Sequence, residues 1–351
     1  MSRGRHPHPR ECLRLSLVLT AIVVVIGLGG ALIFGAADFL GGLASKRISS
    51  IRVTAIAAVA GLVVLVAALP LVGGEWSAEA LFYGGISGIT GAGAIVLLYA
   101  CLAIGPMSIL SPLTAVVSAI VPMTAGLLRG ERLEPLGYLA LGLALVAVVL
   151  VGFVPEKNAV RPSTKALVMA TGSGALIGAF MILIDLTPND SGLVPLIANR
   201  AVNTTIMIAT IAVLALVAAR SRSRRLSGSS QLSGSNPYSG SSLSRPAELV
   251  EASNVNPIAD PSTMVAETHS PHPWLAGMKL AIICGVLDAV ANSLLLLGLR
   301  LGELTIMSVL TAMYSAGTII LAAIVLKERL TPSQVVGLVL ALTAAAMLAV
   351  V

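Results

Sequence analysis

Residues 105–135 (GPMSILSPLTAVVSAIVPMTAGLLRGERLEP) return as residues 302–332 (GELTIMSVLTAMYSAGTIILAAIVLKERLTP) without a gap. Gly105 falls on Gly302, Ser111 on Ser308, Thr114 on Thr311 and Ser118 on Ser315. The triplet Glu131-Arg132-Leu133 falls on Glu328-Arg329-Leu330. Each copy is one apolar helix-length run that ends in charge. A long apolar repeat constrains a fold severely, because both copies must bury equivalent faces.

The solvent for those faces is a bilayer. Hydrophobic residues make up 56% of the 351 residues and charged ones 11%. A soluble domain carries about 25% charged residues. The net charge of +6 sits mostly in the N-terminal tail and in a linker, where it suits lipid headgroups; no basic face with interleaved aromatics suggests nucleic acid. Cys12, Cys101 and Cys284 lack paired spacing, and the latter two lie in apolar runs as small packing residues. His6, His8, His269 and His272 all lie in polar, proline-rich segments, so no metal centre, catalytic residue or cofactor is expected.

A span needs about 20 apolar residues. Ten windows qualify: within 15–44, 51–72, 80–103, 106–128, 136–154, 166–186, 193–219, 275–299, 304–326 and 332–351. The first is too long for a signal-peptide core and lacks a small-residue cleavage site, so it reads as a span. Trp76 reads as an interface anchor. Between the seventh and eighth windows, residues 219–274 open with Arg220, Arg222, Arg224 and Arg225 and continue as SGSSQLSGSNPYSGSSLS. That composition buries too little apolar area to fold and reads as a disordered linker.

The ten windows divide five and five. An odd number of spans per unit forces the two units into opposite orientations, as in carriers built from inverted repeats. Gly30-Ala31-Leu32-Ile33 recurs as Gly174-Ala175-Leu176-Ile177, and an acid precedes an arginine at similar spacing in Asp38/Arg52 and Asp185/Arg200. This pattern, with Glu-Arg-Leu closing the fourth helix of each half, resembles the EamA-like branch of the drug/metabolite transporter superfamily. The resemblance covers all but the tail (1–14) and the linker (219–274), which is longer than the pattern usually has. It implies an all-α integral membrane protein of ten transmembrane helices in two inverted five-helix repeats, residues 15–154 and then 166–218 with 275–351. It also implies a cell-membrane location with both termini in the cytoplasm. Arg3, Arg5, Arg10, Arg14, Arg129 and Arg132 agree with that orientation; Lys46, Arg47, Lys157, Arg161, Lys165 and the linker arginines oppose it.

Function reads as secondary transport of a small polar metabolite by alternating access, driven by a proton or by exchange. The partners are then a small-molecule substrate and the bilayer; the oligomeric state is not legible. An ATP-driven pump would need G-x-x-x-x-G-K-[ST], which is absent, and a membrane enzyme would need clustered His, Asp or Cys in the spans. The alternative is a non-transporting sensor or scaffold acting through the linker.

Candidate binding residues follow from periodicity and charge. Ser111, Thr114 and Ser118 share one helical face, as do Ser308, Thr311 and Ser315. Each stripe either faces a shared cavity or lets helices pack closely. Pro112 and Pro122 should bend the fourth span, whereas the ninth, with Val309 and Ile319 there, should be straighter. A charge at the bilayer centre costs on the order of 3 kcal/mol on insertion scales, which singles out Asp288, with Asn292 one turn on, as a substrate or coupling carboxylate. Asp38, Asp185, Arg52 and Arg200 sit nearer span ends and read as snorkelling or interfacial pairs. Of these, Arg200 with Asn203 is the better cavity candidate. Tyr99 and Tyr314 are pocket candidates. Glu131 and Glu328 read as pairing with neighbouring Arg or Lys, and Gly84/Gly88, Gly174/Gly178 and Gly298/Gly302 as close helix crossings.

Overall fold

The structure, a computed structural model, describes residues 9–104, 107–152, 162–232, 273–325, 327 and 330–350. Among these residues all regular structure is helical. The helices are α1 (Pro9–Ser45), α2 (Ser50–Val72), α3 (Ala78–Ile104), α4 (Met107–Leu128), α5 (Pro135–Gly152), α6 (Thr164–Asp185), α7 (Val194–Leu232), α8 (Pro273–Leu301), α9 (Leu304–Ala312), α10 (Tyr314–Val325) and α11 (Pro332–Leu348). A 3-10 turn, Asn189–Ser191, joins α6 to α7. Eight helical segments are long and apolar enough to cross a membrane, and Pro112–Leu128 and Pro332–Leu348 are shorter apolar helices.

The chain divides into two units. One comprises Met1–Ala209 with Trp274–Val351, the other Thr210–Pro273. In the second unit the described part is helix: α7 continues to Leu232, past residue 218, where hydropathy alone ends the span. Ala218, Ala219 and the arginines after them are good helix formers, so the backbone has no reason to stop where the apolar run does. The rest of the expected linker lies outside the described residues. Likewise α1 begins at Pro9, ahead of the expected start at residue 15.

In the first unit, α1 shows how the helices divide their faces. Val18, Val25 and Leu32 recur at seven-residue spacing and are 57%, 69% and 51% exposed, a lipid-facing stripe. Val24 and Ala31, one position back, are each 3% exposed and belong to the core. Small residues permit the crossings, because van der Waals packing drives helix association in lipid. Ala140, Ala144 and Ala147 of α5 and Ala341, Ala344 and Ala345 of α11 are all buried in that core. A Cβ on Gly285 of α8 would lie against the Ala57 carbonyl of α2, and one on Gly88 of α3 against the Asn199 carbonyl of α7. A Cβ on Gly35 of α1 would strike the backbone at Tyr314 and Thr318, and one on Gly178 of α6 would strike Val121 and Pro122.

Loop contacts sort the helix ends onto two edges. At one edge Leu193 N–H donates to the Gly73 carbonyl and Glu75 N–H to Asp190. Arg300, in the last turn of α8, donates to Thr187 and Asn189 in the α6–α7 turn, and Arg129 beyond α4 pairs with Asp185 of α6 at 2.6 Å. At the other edge Gly277 of α8 packs on Arg47 and Ile48, Gly152 of α5 on Pro112, and Gly337 of α11 on Val151.

The fourth span, with Pro112 and Pro122, is one continuous helix, while the proline-free ninth, expected to be the straighter, is interrupted at Met313. Each proline ring packs where a neighbour has no Cβ: Pro112 against Gly152, Pro122 against Gly178. The break at Met313 falls where Gly35 presses on the first turn of α10. The acids and arginines of the Asp38/Arg52 and Asp185/Arg200 recurrence are not paired with each other: Asp185 pairs with Arg129 and Arg200 with Asp288. Gly35 and Gly178 meet equivalent positions, Thr318 and Val121, which sets Asp38 against Met181. Ala57 and Asn199 take equivalent places beside Gly285 and Gly88, which sets Arg200 against Ala58 and Arg52 against Val194. The same register moves the Gly-Ala-Leu-Ile match by one residue.

Candidate functional site

The described hydroxyls of the two stripes are mostly engaged within the bundle. Thr114 Oγ1 lies within hydrogen-bonding distance of the Leu110 carbonyl on its own helix (3.0 Å) and of Ala170 on α6 (3.2 Å), so it joins α4 to α6. Ser118 donates to Ala115 (2.8 Å) and Ser308 to Thr305 (2.8 Å), both buried. Thr311 is half-buried. Ser315 Oγ is buried without a partner, beside Ala147, Val148 and Val151 of α5. The side chains of Ser111 and Tyr99 lie outside the described residues. Three of the hydroxyls, on Thr114, Ser118 and Ser308, are therefore engaged with backbone carbonyls.

The charged candidates do converge. Arg200 of α7 and Asp288 of α8 form an ion pair, with side chains 14% and 26% exposed. Arg200 is not a snorkelling residue: its guanidinium lies inside the bundle, next to Gly61 of α2. Asn292 donates Nδ2 to the backbone carbonyl of Asp288 at 2.8 Å, which spends that amide on its own helix. Asn203 is 6% exposed, with its Nδ2 towards Gly91 of α3. Thr204, one turn on from Arg200, has a buried hydroxyl without a partner; nothing in its sequence context signals this.

Asp38 departs from expectation as well. It continues the series Val24, Ala31, Asp38, seven residues apart, on the face of α1 that is otherwise core. Its neighbours in charge are Cys284 of α8 and Tyr314 of α10. It is exposed at that position. No ion pair or hydrogen bond engages its carboxylate among the described residues.

A separate cavity of about 500 Å3 opens at the edge that holds Arg132, Glu134, Gly302 and Glu303. It lies away from the intramembrane charges. Gly27 packs on Leu310 and Gly298 on Met307 between the two regions. Burial, and secondarily the nearby Glu131 carboxylate, hold the Glu303 carboxyl above its usual range. Glu131 itself is not paired with Arg or Lys, as its position suggested. Its two oxygens accept from the N–H groups of Leu304 and Thr305, both at 2.9 Å. Those are orphan donors at the start of α9, where the N-cap residue Glu303 supplies no side-chain bond. A carboxylate that lies badly at the end of its own helix lies well at the beginning of another. Glu131→Ala should therefore lower stability by about 1–2 kcal/mol in unfolding of the detergent-purified chain, with Glu131→Gln in between. An unchanged melting temperature for the alanine variant would contradict this role. Glu328, its repeat counterpart, lies outside the described residues.

No curated protein matches the chain. Among the solved structures that match, one described only as "Crystal structure of protein" shares 14% sequence identity, covers 93% of this chain and 94% of that one, and superposes with a TM-score of 0.57. At that identity the likeness shows a shared fold. The family model described as "EamA-like transporter family" matches residues 21–153 and 258–350. With apolar helices of spanning length throughout, the chain is a multi-pass membrane protein and belongs to the EamA-like transporter family of the drug/metabolite transporter superfamily.

Proposed function

We propose that the chain is a secondary transporter that moves a small polar metabolite by alternating access, with its site around the Arg200–Asp288 pair. The observation that carries the reading is this pair, an intramembrane ion pair at a helix crossing with neither side chain fully buried. Intramembrane ionisable groups of this kind line substrate or ion pathways more often than they serve structure. Asn203, Thr204 and Asp38 extend the polar surface, and Tyr314 borders it.

The architecture we propose is ten crossings in two inverted five-helix repeats, α1–α5 and α6–α11, with α9 and α10 forming one crossing. Paired contacts support it. Gly88 meets the second helix of the other half, and Gly285, its counterpart in the register of the long repeat, does the same in reverse. Gly35 and Gly178 likewise each meet the fourth crossing of the other half. Such repeats place a substrate site at their interface and rock around it. The packed contacts Gly27–Leu310 and Gly298–Met307 would close one side of that site in this state. Both termini then share one membrane face, the cytoplasmic one if the family resemblance holds.

The test is flux. Purified full-length chain in liposomes, offered a mixture of labelled amino acids, sugars, nucleosides and amines, is expected to show saturable, protein-dependent accumulation of at least one of them. Leakage no different from empty liposomes for every compound would contradict the carrier reading.

A further inference from the structure

Two carboxyl groups meet at the start of α9, and their hydrogen bonds differ. Both oxygens of Glu131 accept N–H groups, from Leu304 and Thr305. Only an ionised carboxylate accepts fully on both oxygens. Glu303, the residue before Leu304, has its Oε2 buried and without a hydrogen-bond partner among the described residues. An ionised oxygen so placed is costly, and a protonated carboxyl removes most of that cost. The hydrogen bonds thus favour an anion at Glu131 beside a neutral acid at Glu303. Glu303 also lines the cavity of about 500 Å3 at this edge, together with the exposed Arg132 and Glu134. That space has room for several waters, which gives a proton a route to and from the carboxyl.

The start of α9 is also where α4 is fastened to it. Besides the two Glu131 bonds, the Thr305 hydroxyl donates to the Met123 carbonyl at 3.3 Å, and Gly126 leaves room for Thr305 and the Glu131 carboxylate. Among the described residues, no other charge offsets a second anion there. The Arg300 guanidinium is turned to Thr187 and Asn189, and Arg129 to Asp185. Arg132 and Glu134 are exposed, where solvent screens them, and are opposite in sign. α1 contributes Leu19, Thr20 and Val23 to the cavity, and α9 has no ionisable residue.

We infer that Glu303 is a proton-binding site that controls the α4–α9 joint: protonated, it lets Glu131 hold the start of α9; ionised, it repels the Glu131 carboxylate and weakens that hold. The proton passes from the Glu303 carboxyl to water in the cavity and leaves the carboxylate behind. In the transport reading, on which this role rests, α4 and α9 belong to opposite repeats, and the ion coupled to their rocking is a proton. Burial, and then Glu131, hold the Glu303 carboxyl above its ordinary value of 4.5. Its contribution to the joint is therefore complete below pH 4.5 and is lost as pH rises through the raised value.

Hydrogen exchange reads the joint directly, because the Leu304 and Thr305 amides are orphan donors without Glu131. In the purified full-length chain, protection of these two amides, corrected for the intrinsic pH dependence of exchange, should fall about tenfold or more between pH 4.5 and about pH 8. Glu303→Gln, which stays neutral, should keep its protection across that range, and comparing it with wild type removes any titration of Glu131 itself. Glu131→Ala should lack protection at every pH. Wild-type protection that does not change with pH, or a Glu303→Gln chain that loses it as wild type does, overturns the inference. In liposomes, an imposed proton gradient should drive accumulation by wild type and not by Glu303→Gln; undiminished accumulation by the variant removes the coupling role. Absence of flux with the exchange result intact removes the carrier reading and leaves the proton switch standing. Flux with pH-independent exchange does the reverse.

Discussion

Arg200→Gln is expected to reduce the yield of folded, monodisperse protein severely, and Asp288→Asn to do nearly the same. Each change strips an intramembrane charge of its counter-ion. Removing one partner of a buried pair costs about 3–5 kcal/mol, and incomplete burial of this pair favours the lower end. The double variant Arg200→Gln/Asp288→Asn leaves no lone charge, so most of the stability should return. Flux should not return, because the double variant no longer offers the substrate a charge. Size-exclusion profiles and thermal unfolding of the three variants, followed by flux for those that fold, test the pair. Single variants as stable as wild type would mean the charges are solvated independently. A double variant that transports normally would make the pair purely structural.

The second large effect concerns backbone proximity. Gly285→Val would drive a side chain into the Ala57 carbonyl, an atom that cannot rotate away. Overpacking costs about 1–3 kcal/mol where side chains can shift, and a clash with backbone on a central crossing should exceed that. Gly42→Ala on α1 is the control: a Cβ there meets nothing within 4 Å, and alanine favours helix by up to about 1 kcal/mol over glycine. The expected outcome is loss of folded Gly285→Val and retention of Gly42→Ala. If Gly285→Val folds with wild-type stability, the α2–α8 crossing is not as close as described.

Much of the architecture was legible because a bilayer permits few solutions. Once apolar windows of spanning length are counted, helices are the answer, and the gapless repeat implies that contacts come in pairs. Gly88 against Asn199 and Gly285 against Ala57 have the form of such a pair. Harder to read are signals with two physical causes. Thr114, Ser118 and Ser308 were spaced like a binding face, but a hydroxyl inside a membrane helix satisfies itself on a nearby carbonyl as readily as on a ligand. Pro112 and Pro122 suggest a bend in α4, which is one continuous helix whose proline rings rest on glycines of neighbouring helices. The interrupted span is the ninth, at Met313, where no residue type marks it.

The site divides the same way. Asp288 stood out because a charge in mid-span is costly, and Arg200 because arginine is rare there. Their mutual contact depends on how α7 crosses α8, which no local pattern encodes. Asp38 looked like an interfacial residue while α1 was placed by hydropathy alone. Traced from Val24 and Ala31, the core face of α1 reaches Asp38, which is exposed there. Glu131 looked electrostatically misplaced on its own helix; only the approach of α9 supplies the donors it accepts from.

The central claim, that two copies of one unit lie antiparallel across the membrane, is tested most directly by sidedness. In a chain whose native Cys12, Cys101 and Cys284 have been replaced, Arg132→Cys and Lys327→Cys mark the ends of the repeated helix in the two halves. A membrane-impermeant maleimide, applied to intact and then to opened membranes, should label the two positions from opposite faces. Labelling of both from the same face would contradict the inverted duplication.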